Sequence, residues 1–211
     1  SQLSGLLSGL VERFALHDAP LYLVGGSVRD ALLGRLGNDL DFTTPARPEV
    51  VYSILEDWAE TVWDTGIDYG TVSAAYKGQQ IEITTFRSDS YDGDSRNPEV
   101  VYGDTLEGDL VRRDFKVNAM AIELRPDGTR EFHDPMGGLQ DLADRVLDTP
   151  DAPEISFHDD PLRMLRAARF AAQLEFDVAG RVRDAMTDMA AEIQRITVER
   201  VQVELNKLIC G

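Results

Sequence analysis

The sequence predicts an α+β protein, a small mixed sheet with covering helices followed by an all-helical segment. Three observations carry this expectation. Residues 21–42, LYLVGGSVRDALLGRLGNDLDF, read as strand, glycine turn, helix and second strand. Residues 69–76 and 80–86 read as two more strands joined by a hairpin-like turn, Lys77-Gly78-Gln79. Beyond the Pro- and Asp-rich stretch DTPDAPEIS at 148–156, the apolar patterns are helical.

In residues 1–17, Leu3, Leu6, Leu7, Leu10, Val11 and Phe14 recur at helical spacing and predict an amphipathic helix lying on a sheet. A membrane surface suits it poorly, because its polar face carries no lysine and one arginine, Arg13. In the strand that follows, LYLV is apolar, and Gly25-Gly26 then ends the run where a side chain would obstruct a ligand. The helix expected at 27–34 opens out of that turn, so its first N–H groups face an anion such as a triphosphate, with Arg29 as a nearby cation. In NDLDF, alternation puts Asp39 and Asp41 on one face of a strand and Leu40 and Phe42 on the other. Two hard carboxylates on one face suit Mg²⁺. Each signal alone is weak: an Asp-x-Asp spacing is commonly a solvated pair, and GGSVRD is neither a Walker A loop nor a Rossmann fingerprint. Together they are what metal-assisted transfer from a nucleoside triphosphate requires.

Residues 47–63 read as a second amphipathic helix, with Pro48 near its start and Val51, Ile54, Leu55 and Trp58 on one face. In IEITTF, Ile81 and Ile83 point one way, Glu82 and Thr84 the other. Glu82 is therefore either a solvent-facing edge residue or a third carboxylate beside Asp39 and Asp41. Residues 88–109, rich in Asp, Gly, Ser and Asn, read as a long loop. In VRRDFKVNAMAIEL at 111–124, Arg112-Arg113 is either a surface ion pair with Asp114 or part of a site. FHDPMGGLQDL at 132–142 supplies a strand end, a turn and a helix start, with His133 as a structural hydrogen-bonding residue. His17, His133 and His158 lack metal-ligand spacing, so no zinc site is expected.

In HDDPLRMLRAARFAAQLEF at 158–176, Asp160 suits an N-cap and Pro161 the first helical position. Arg163, Arg166 and Arg169 recur every third residue, while Leu162, Leu165, Phe170 and Leu174 supply packing surface. The arginines are either a solvated face balanced by acids or a site. In the second case Asp160 accepts and Arg163 donates against the Watson–Crick edge of a base, with Arg166 and Arg169 on triphosphate or backbone groups. Residues 176–196 and 197–209 read as two further helices, the second capped by Thr197.

A net charge of −17 excludes a chain that grips nucleic acid over its whole surface, so cations must act locally. A single cysteine, Cys210, excludes an internal disulfide and a multi-cysteine zinc site, and no apolar run approaches the ~20 residues of a membrane span. The cytoplasm is the expected location. Because the chain starts at Ser1 and stops just after a helical pattern, it is expected to be a piece of a longer protein.

VGGSVRDALLG followed by DLD resembles the head of the class II tRNA nucleotidyltransferase and bacterial poly(A) polymerase superfamily, whose fold is related to the polymerase β palm. YGTV, IEITTFR, SRNPEV, RRDFKVNA, HDDPLR with RAARF, and ERVQVELNKLI extend the resemblance in order over nearly the whole chain after Pro20. Lys116 stands where a small polar residue is common, facing outward if the stretch is extended, and Asp159 where glutamate is frequent. The resemblance implies a polymerase β-like nucleotidyltransferase head at 1–148 and a helical, nucleotide-selecting neck at 149–211, without the body and tail that hold the tRNA acceptor arm. It implies template-independent addition of CMP and AMP from CTP and ATP to the tRNA 3′ end, with two Mg²⁺ ions and pyrophosphate release. Asp39 and Asp41, with Glu82 as a further candidate, would hold metal, and Gly26 and Arg29 the triphosphate. Arg113 would contact phosphates or sugar, Asp114 and Asn118 would shape the pocket, and Asp160, Arg163, Arg166 and Arg169 would select the nucleotide. The family's flexible loop, implicated in nucleotide selection, falls at 88–109, and ERVQVELNKLI buttresses the neck with Glu199 and Arg200 as internal ion-pair candidates. A poly(A) polymerase, a CC-adding or A-adding partial enzyme, and a non-catalytic nucleotide- or RNA-binding module share the motifs. Neither a membrane nor DNA is an expected partner.

Overall fold

The computed structural model describes residues 2–88, 100–195 and 198–210. Residues 89–99 of the expected loop, with most of SRNPEV, the Thr197 cap and the Glu199 side chain lie outside the described residues. The chain forms two compact units, Ser1–Leu110 with Met120–Pro135, and Val111–Ala119 with Met136–Gly211.

The first unit runs α1 (Gln2–Ala15), β1 (Leu21–Val24), α2 (Gly26–Leu32), β2 (Asp39–Thr44), α3 (Pro48–Glu56), β3 (Thr61–Trp63), β4 (Thr71–Tyr76), β5 (Gln79–Thr85), α4 (Leu106–Val111), β6 (Ala121–Leu124) and β7 (Arg130–His133). Its sheet has the order β3-β4-β5-β2-β1-β6-β7. Only β2 and β5 pair in parallel, so the sheet is mixed. Strand alternation divides the sheet into two chemically distinct faces. Leu21, Leu23, Leu40, Phe42, Val72, Ala74, Ile81 and Ile83 are buried on one face, as are Leu6, Leu10 and Phe14 of α1 and Val51, Ile54 and Leu55 of α3. Each such large side chain contributes about 1.5–3 kcal/mol when fully buried. The opposite face carries Tyr22, Asp39, Asp41, Thr43, Gln80, Glu82 and Thr84, and it is polar, with Asp39, Gln80 and Glu82 exposed, Tyr22, Asp41 and Thr84 half-buried and Thr43 buried.

Three local departures from the sequence expectation have physical causes. The helix expected over 47–63 ends at Glu56, because Thr61 and Val62, β-branched, pair with Ala75 and Ala74 of β4, and Trp58 leaves the helix to stack on Tyr76 at 4.3 Å. The turn between β4 and β5 is the two-residue Lys77-Gly78, with φ of 46° and 80°, so Gln79 already belongs to β5. The end of the expected 88–109 loop is α4, whose Gly108 N–H donates to the Thr105 hydroxyl at 3.2 Å.

The second unit contains a 3₁₀ turn at Lys116–Asn118, then α5 (Gly138–Asp144), β8 (Val146–Leu147), α6 (Pro153–Asp159), α7 (Leu162–Leu174), β9 (Asp177–Val178), α8 (Gly180–Asp188) and α9 (Val198–Cys210). Phe157, Met164, Val182 and Ala185 form its buried cluster, and the Phe115 ring meets Phe170 edge-on at 5.8 Å. Lys116 does not face outward from an extended segment. Its N–H donates to the Asp148 carbonyl at 2.9 Å and its ammonium sits 3.1 Å from the Asp148 carboxylate. The helix expected over 176–196 is interrupted at its start. Glu175, at φ 56°, ends α7, and Asp177 and Ala179 donate backbone N–H groups to the carbonyls of Arg145 and Leu147, building the short parallel pair β8–β9. A 3₁₀ segment at Ala190–Arg195 follows α8.

Candidate active site

In the first unit the site grows from the β1–α2 turn. Gly25 has φ 63° and ψ −137°, a conformation that side chains resist. It lets α2 begin at once, and the Ser27 hydroxyl then accepts the Asp41 backbone N–H at 2.9 Å. That bond pins the start of α2 to the middle of β2. Gly26 matters for packing: a Cβ there would meet the Arg29 Nη2 at 3.2 Å, and Arg29, buried, places its Nε 2.9 Å from the Asp30 carboxylate.

Asp39 is exposed and Asp41 half-buried, while Leu40 and Phe42 between and after them are buried. In the parallel ladder Asp41 stands opposite Glu82, and Asp39 opposite Gln80. The register therefore brings Glu82, exposed, next to Asp41 on the open face. Three hard oxygen donors on one accessible face fit Mg²⁺ by donor chemistry.

The open face holds another group that linear spacing hid. Among the described residues, ligand atoms of Glu123, Glu131 and His133 lie within 4.8 Å of one another. They meet because Glu123 and Glu131 are directly opposite on β6 and β7 and His133 lies two residues on. Arg125 already bridges the two carboxylates, 3.0 Å from Glu123 and in contact with Glu131, so the group is an ion-pair network. Tyr22, beside Glu123, has its phenol pushed up by burial and then by the Glu123 charge, against an opposing effect of Arg125.

In the second unit, Asp114 is buried, and one of its oxygens accepts the Phe115 N–H at 2.8 Å and the Asn118 amide at 3.1 Å. Its other oxygen accepts Arg166 Nε and Nη2 at 3.0 and 2.7 Å, rather than pairing at a surface with Arg112-Arg113. Burial raises the Asp114 carboxyl, but the charge and hydrogen bonds of Arg166, the Asn118 amide and the Arg163 charge outweigh it and hold Asp114 below the usual range. Arg166 also lies 3.4 Å from Glu204, a buried residue of α9, and Arg169 Nε lies 2.8 Å from the same carboxylate with its guanidinium 4.4 Å over Phe170. Arg166 and Arg169 of α7 are thus balanced by acids within the unit. Arg163 donates to the Ser156 hydroxyl at 2.9 Å and to the Arg112 carbonyl at 2.6 Å. Asp160 ends α6 and accepts the Leu162 N–H at 3.2 Å and Arg200 Nη2 at 3.0 and 3.2 Å. The N-cap position of α7 falls to Pro161. Arg113 is half-buried beside Asp114.

Sequence reasoning missed Ser27, Ser156 and Glu204. A serine directly after the glycine pair was a signal for the first. Glu204 is flanked by Val203 and Leu205, and only the three-dimensional approach of α7 to α9 reveals its partners.

A protein-family model described as "Poly A polymerase head domain" matches residues 21–148, and one described as "Probable RNA and SrmB- binding site of polymerase A" matches residues 175–211. A CCA-adding enzyme of Leuconostoc mesenteroides is 44% identical over 199 residues, covering 93% of this chain and 48% of that protein. The crystal structure of the Bacillus stearothermophilus CCA-adding enzyme in complex with CTP is 37% identical with a TM-score of 0.82, over 97% of this chain and 48% of that one. The Thermotoga maritima CCA-adding enzyme complexed with tRNA_CCA is 29% identical with a TM-score of 0.78, over 97% of this chain and 46% of that one. The chain spans about half the length of the curated relatives it matches. With more than half of its residues matched by the head-domain model, the chain belongs to the Poly A polymerase head domain family.

Proposed function

We propose that the protein is a template-independent tRNA nucleotidyltransferase that adds CMP and AMP from CTP and ATP to the tRNA 3′ end. Its catalytic head would span residues 1–148 and its nucleotide-selecting neck 149–211. The observation that carries this reading is the open-face row of carboxylates, Asp41 beside Glu82 and flanked by Asp39, pinned to the start of α2 by Ser27. The names of the relatives, and the CTP and tRNA in their complexes, support the same substrates here. A cytoplasmic location goes with this reading, since nucleoside triphosphates and tRNA are there.

In the reaction the RNA 3′ oxygen forms a bond to the α-phosphorus, the bond to the bridging oxygen breaks, and pyrophosphate leaves. Asp39 and Asp41, with Glu82 available beside them, would hold Mg²⁺, which would supply charge neutralisation for the α-phosphate and the leaving group. Gly26 leaves room for the Arg29 side chain, which would add a fixed cation near the triphosphate. Arg113 is assigned to phosphate or sugar, and Asp160 with Arg163 to the base edge, through the lone pairs and N–H groups beyond those engaged with Arg200, Ser156 and the Arg112 carbonyl. Arg166 and Arg169 spend donors on Asp114 and Glu204, so they act by holding the helix that carries Arg163.

The test is primer extension on tRNA lacking CCA, with the complete gene product and each nucleoside triphosphate. Incorporation of CMP twice and AMP once, then arrest, is the expected outcome. Repeated A addition would replace the reading with a poly(A) polymerase, arrest after CC or A addition to a CC end alone with a partial enzyme, and no incorporation with a non-catalytic module.

A further inference from the structure

We propose that Trp63 is a stacking platform for an unpaired nucleobase of the RNA strand whose 3′ hydroxyl reacts. The inference rests on the proposed nucleotidyltransferase activity and adds a subsite for its RNA substrate. Its basis is a cross-strand row. Asp41 of β2 pairs with Glu82 of β5, Glu82 with Ser73 of β4, and Ser73 with Trp63 of β3. Residues directly opposite one another share a face, so all four stand on the open side of the sheet. With adjacent strands about 4.8 Å apart, the Trp63 backbone lies about 14 Å from that of Asp41.

Trp63 occupies the edge strand and is 39% exposed, whereas its neighbour Val62 turns to the core side. Trp58, the other tryptophan, has a ring face covered by Tyr76. Among the described residues no ring pair or cation–ring contact includes Trp63.

The direction of the row follows from the reaction. In-line displacement at phosphorus puts the entering oxygen and the leaving group on opposite sides. The proposed triphosphate position, at Gly26 and Arg29, belongs to α2, which packs on β1 and β2. Pyrophosphate therefore departs on the β1 side, and the RNA 3′ hydroxyl arrives from the β5 side, where Glu82, Ser73 and Trp63 follow in order. Asp41 and Glu82 make that approach acidic, which disfavours a grip on RNA phosphates. An indole face binds a base by stacking, requires no cation and tolerates any base. A nucleobase a few residues from the reacting end is the occupant this chemistry fits.

The test uses the complete gene product, an RNA minihelix ending in CC, and ATP. Trp63→Ala should raise KM for the RNA about five- to hundredfold, with KM for ATP unchanged within about twofold. Trp63→Phe should recover most of the loss. Where the alanine variant does not fold, Trp63→Leu keeps apolar bulk without the π-face and should show the same split. Added RNA alone should quench indole emission in the unsubstituted protein, and the quench should be smaller in Trp63→Phe. An RNA KM unchanged in Trp63→Ala, or a parallel rise in KM for ATP, overturns the platform; unchanged RNA binding would leave Trp63 to a protein partner. Failure of the unsubstituted protein to extend any RNA defeats the activity itself, whereas an active protein indifferent to Trp63 defeats only this inference.

Discussion

Arg166 donates through two nitrogens to a single oxygen of Asp114, at 3.0 and 2.7 Å, and its remaining arm reaches Glu204 at 3.4 Å. With Arg169 also on Glu204, two guanidinium groups answer two buried carboxylates. One ionic cluster thereby joins the 111–119 segment to α7 and α9 within the second unit.

Removing Arg166 should therefore be a stability event before it is a binding event. Arg166→Ala leaves Asp114 short of its main counter-charge and should cost about 3 kcal/mol, because an uncompensated buried charge is expensive. For a chain of this size that lowers Tm by about 6–12 °C. Arg166→Lys, a single point donor, should lose less. A thermal melt beside CTP kinetics checks this. An unchanged Tm with a raised KM for CTP would return Arg166 to the triphosphate.

The same cluster predicts an acid limb. Asp114 titrates below its ordinary value, so it stabilises the fold above about pH 4, and that contribution is lost as pH falls through the folded value. Asp148 is shifted in the same direction: burial raises it, and Arg181 and Lys116 more than reverse that. Asp114→Asn should be markedly less stable than the unsubstituted protein at pH 7, and the gap should begin to narrow as pH falls below about 4. Urea midpoints across that range measure it. A gap independent of pH would mean that Asp114 acts by shape alone.

Ser27 offers a separate handle on the carboxylate strand. Ser27→Ala leaves the Asp41 N–H without its 2.9 Å acceptor, a loss of about 1–2 kcal/mol that should lower Tm by about 2–8 °C. Because the bond fixes Asp41 against α2, kcat should fall about tenfold while KM for RNA holds. Equal kcat in the variant would show that β2 keeps its place without the clamp.

What could be read from the sequence followed from period and local chemistry. DLDF and IEITTF alternate, so Asp39 and Asp41 on one face of their strand, and Glu82 turned away from Ile81 and Ile83 on its own, were legible in the sequence. Register was not: Asp41 opposite Glu82, or Trp63 in line with both, depends on strand pairing across some forty residues. β3 was absorbed into a neighbouring helical pattern because three residues carry too little periodicity to announce a strand. The arginines at 163, 166 and 169 displayed their spacing but not their partners, since Asp114 and Glu204 come from distant segments. His133 joined Glu123 and Glu131 through a hairpin, which no His spacing could encode.

Asp41 and Glu82 stand at paired positions of adjacent parallel strands. Asp41→Asn keeps the backbone N–H that Ser27 accepts, so the fold should hold, with stability within about 0.5 kcal/mol of the unsubstituted protein. Turnover should nevertheless fall at least about 10³-fold, since the metal-holding carboxylate is gone. Adding Mg²⁺ should raise Tm of the unsubstituted protein, because the ion binds only the folded state, and should do so much less in Asp41→Asn. Glu82→Gln separates the roles: if Glu82 holds metal, its Mg²⁺-dependent rise shrinks too, and if it only faces solvent, the rise stays full. A folded variant that turns over normally would remove Asp41 from the chemistry.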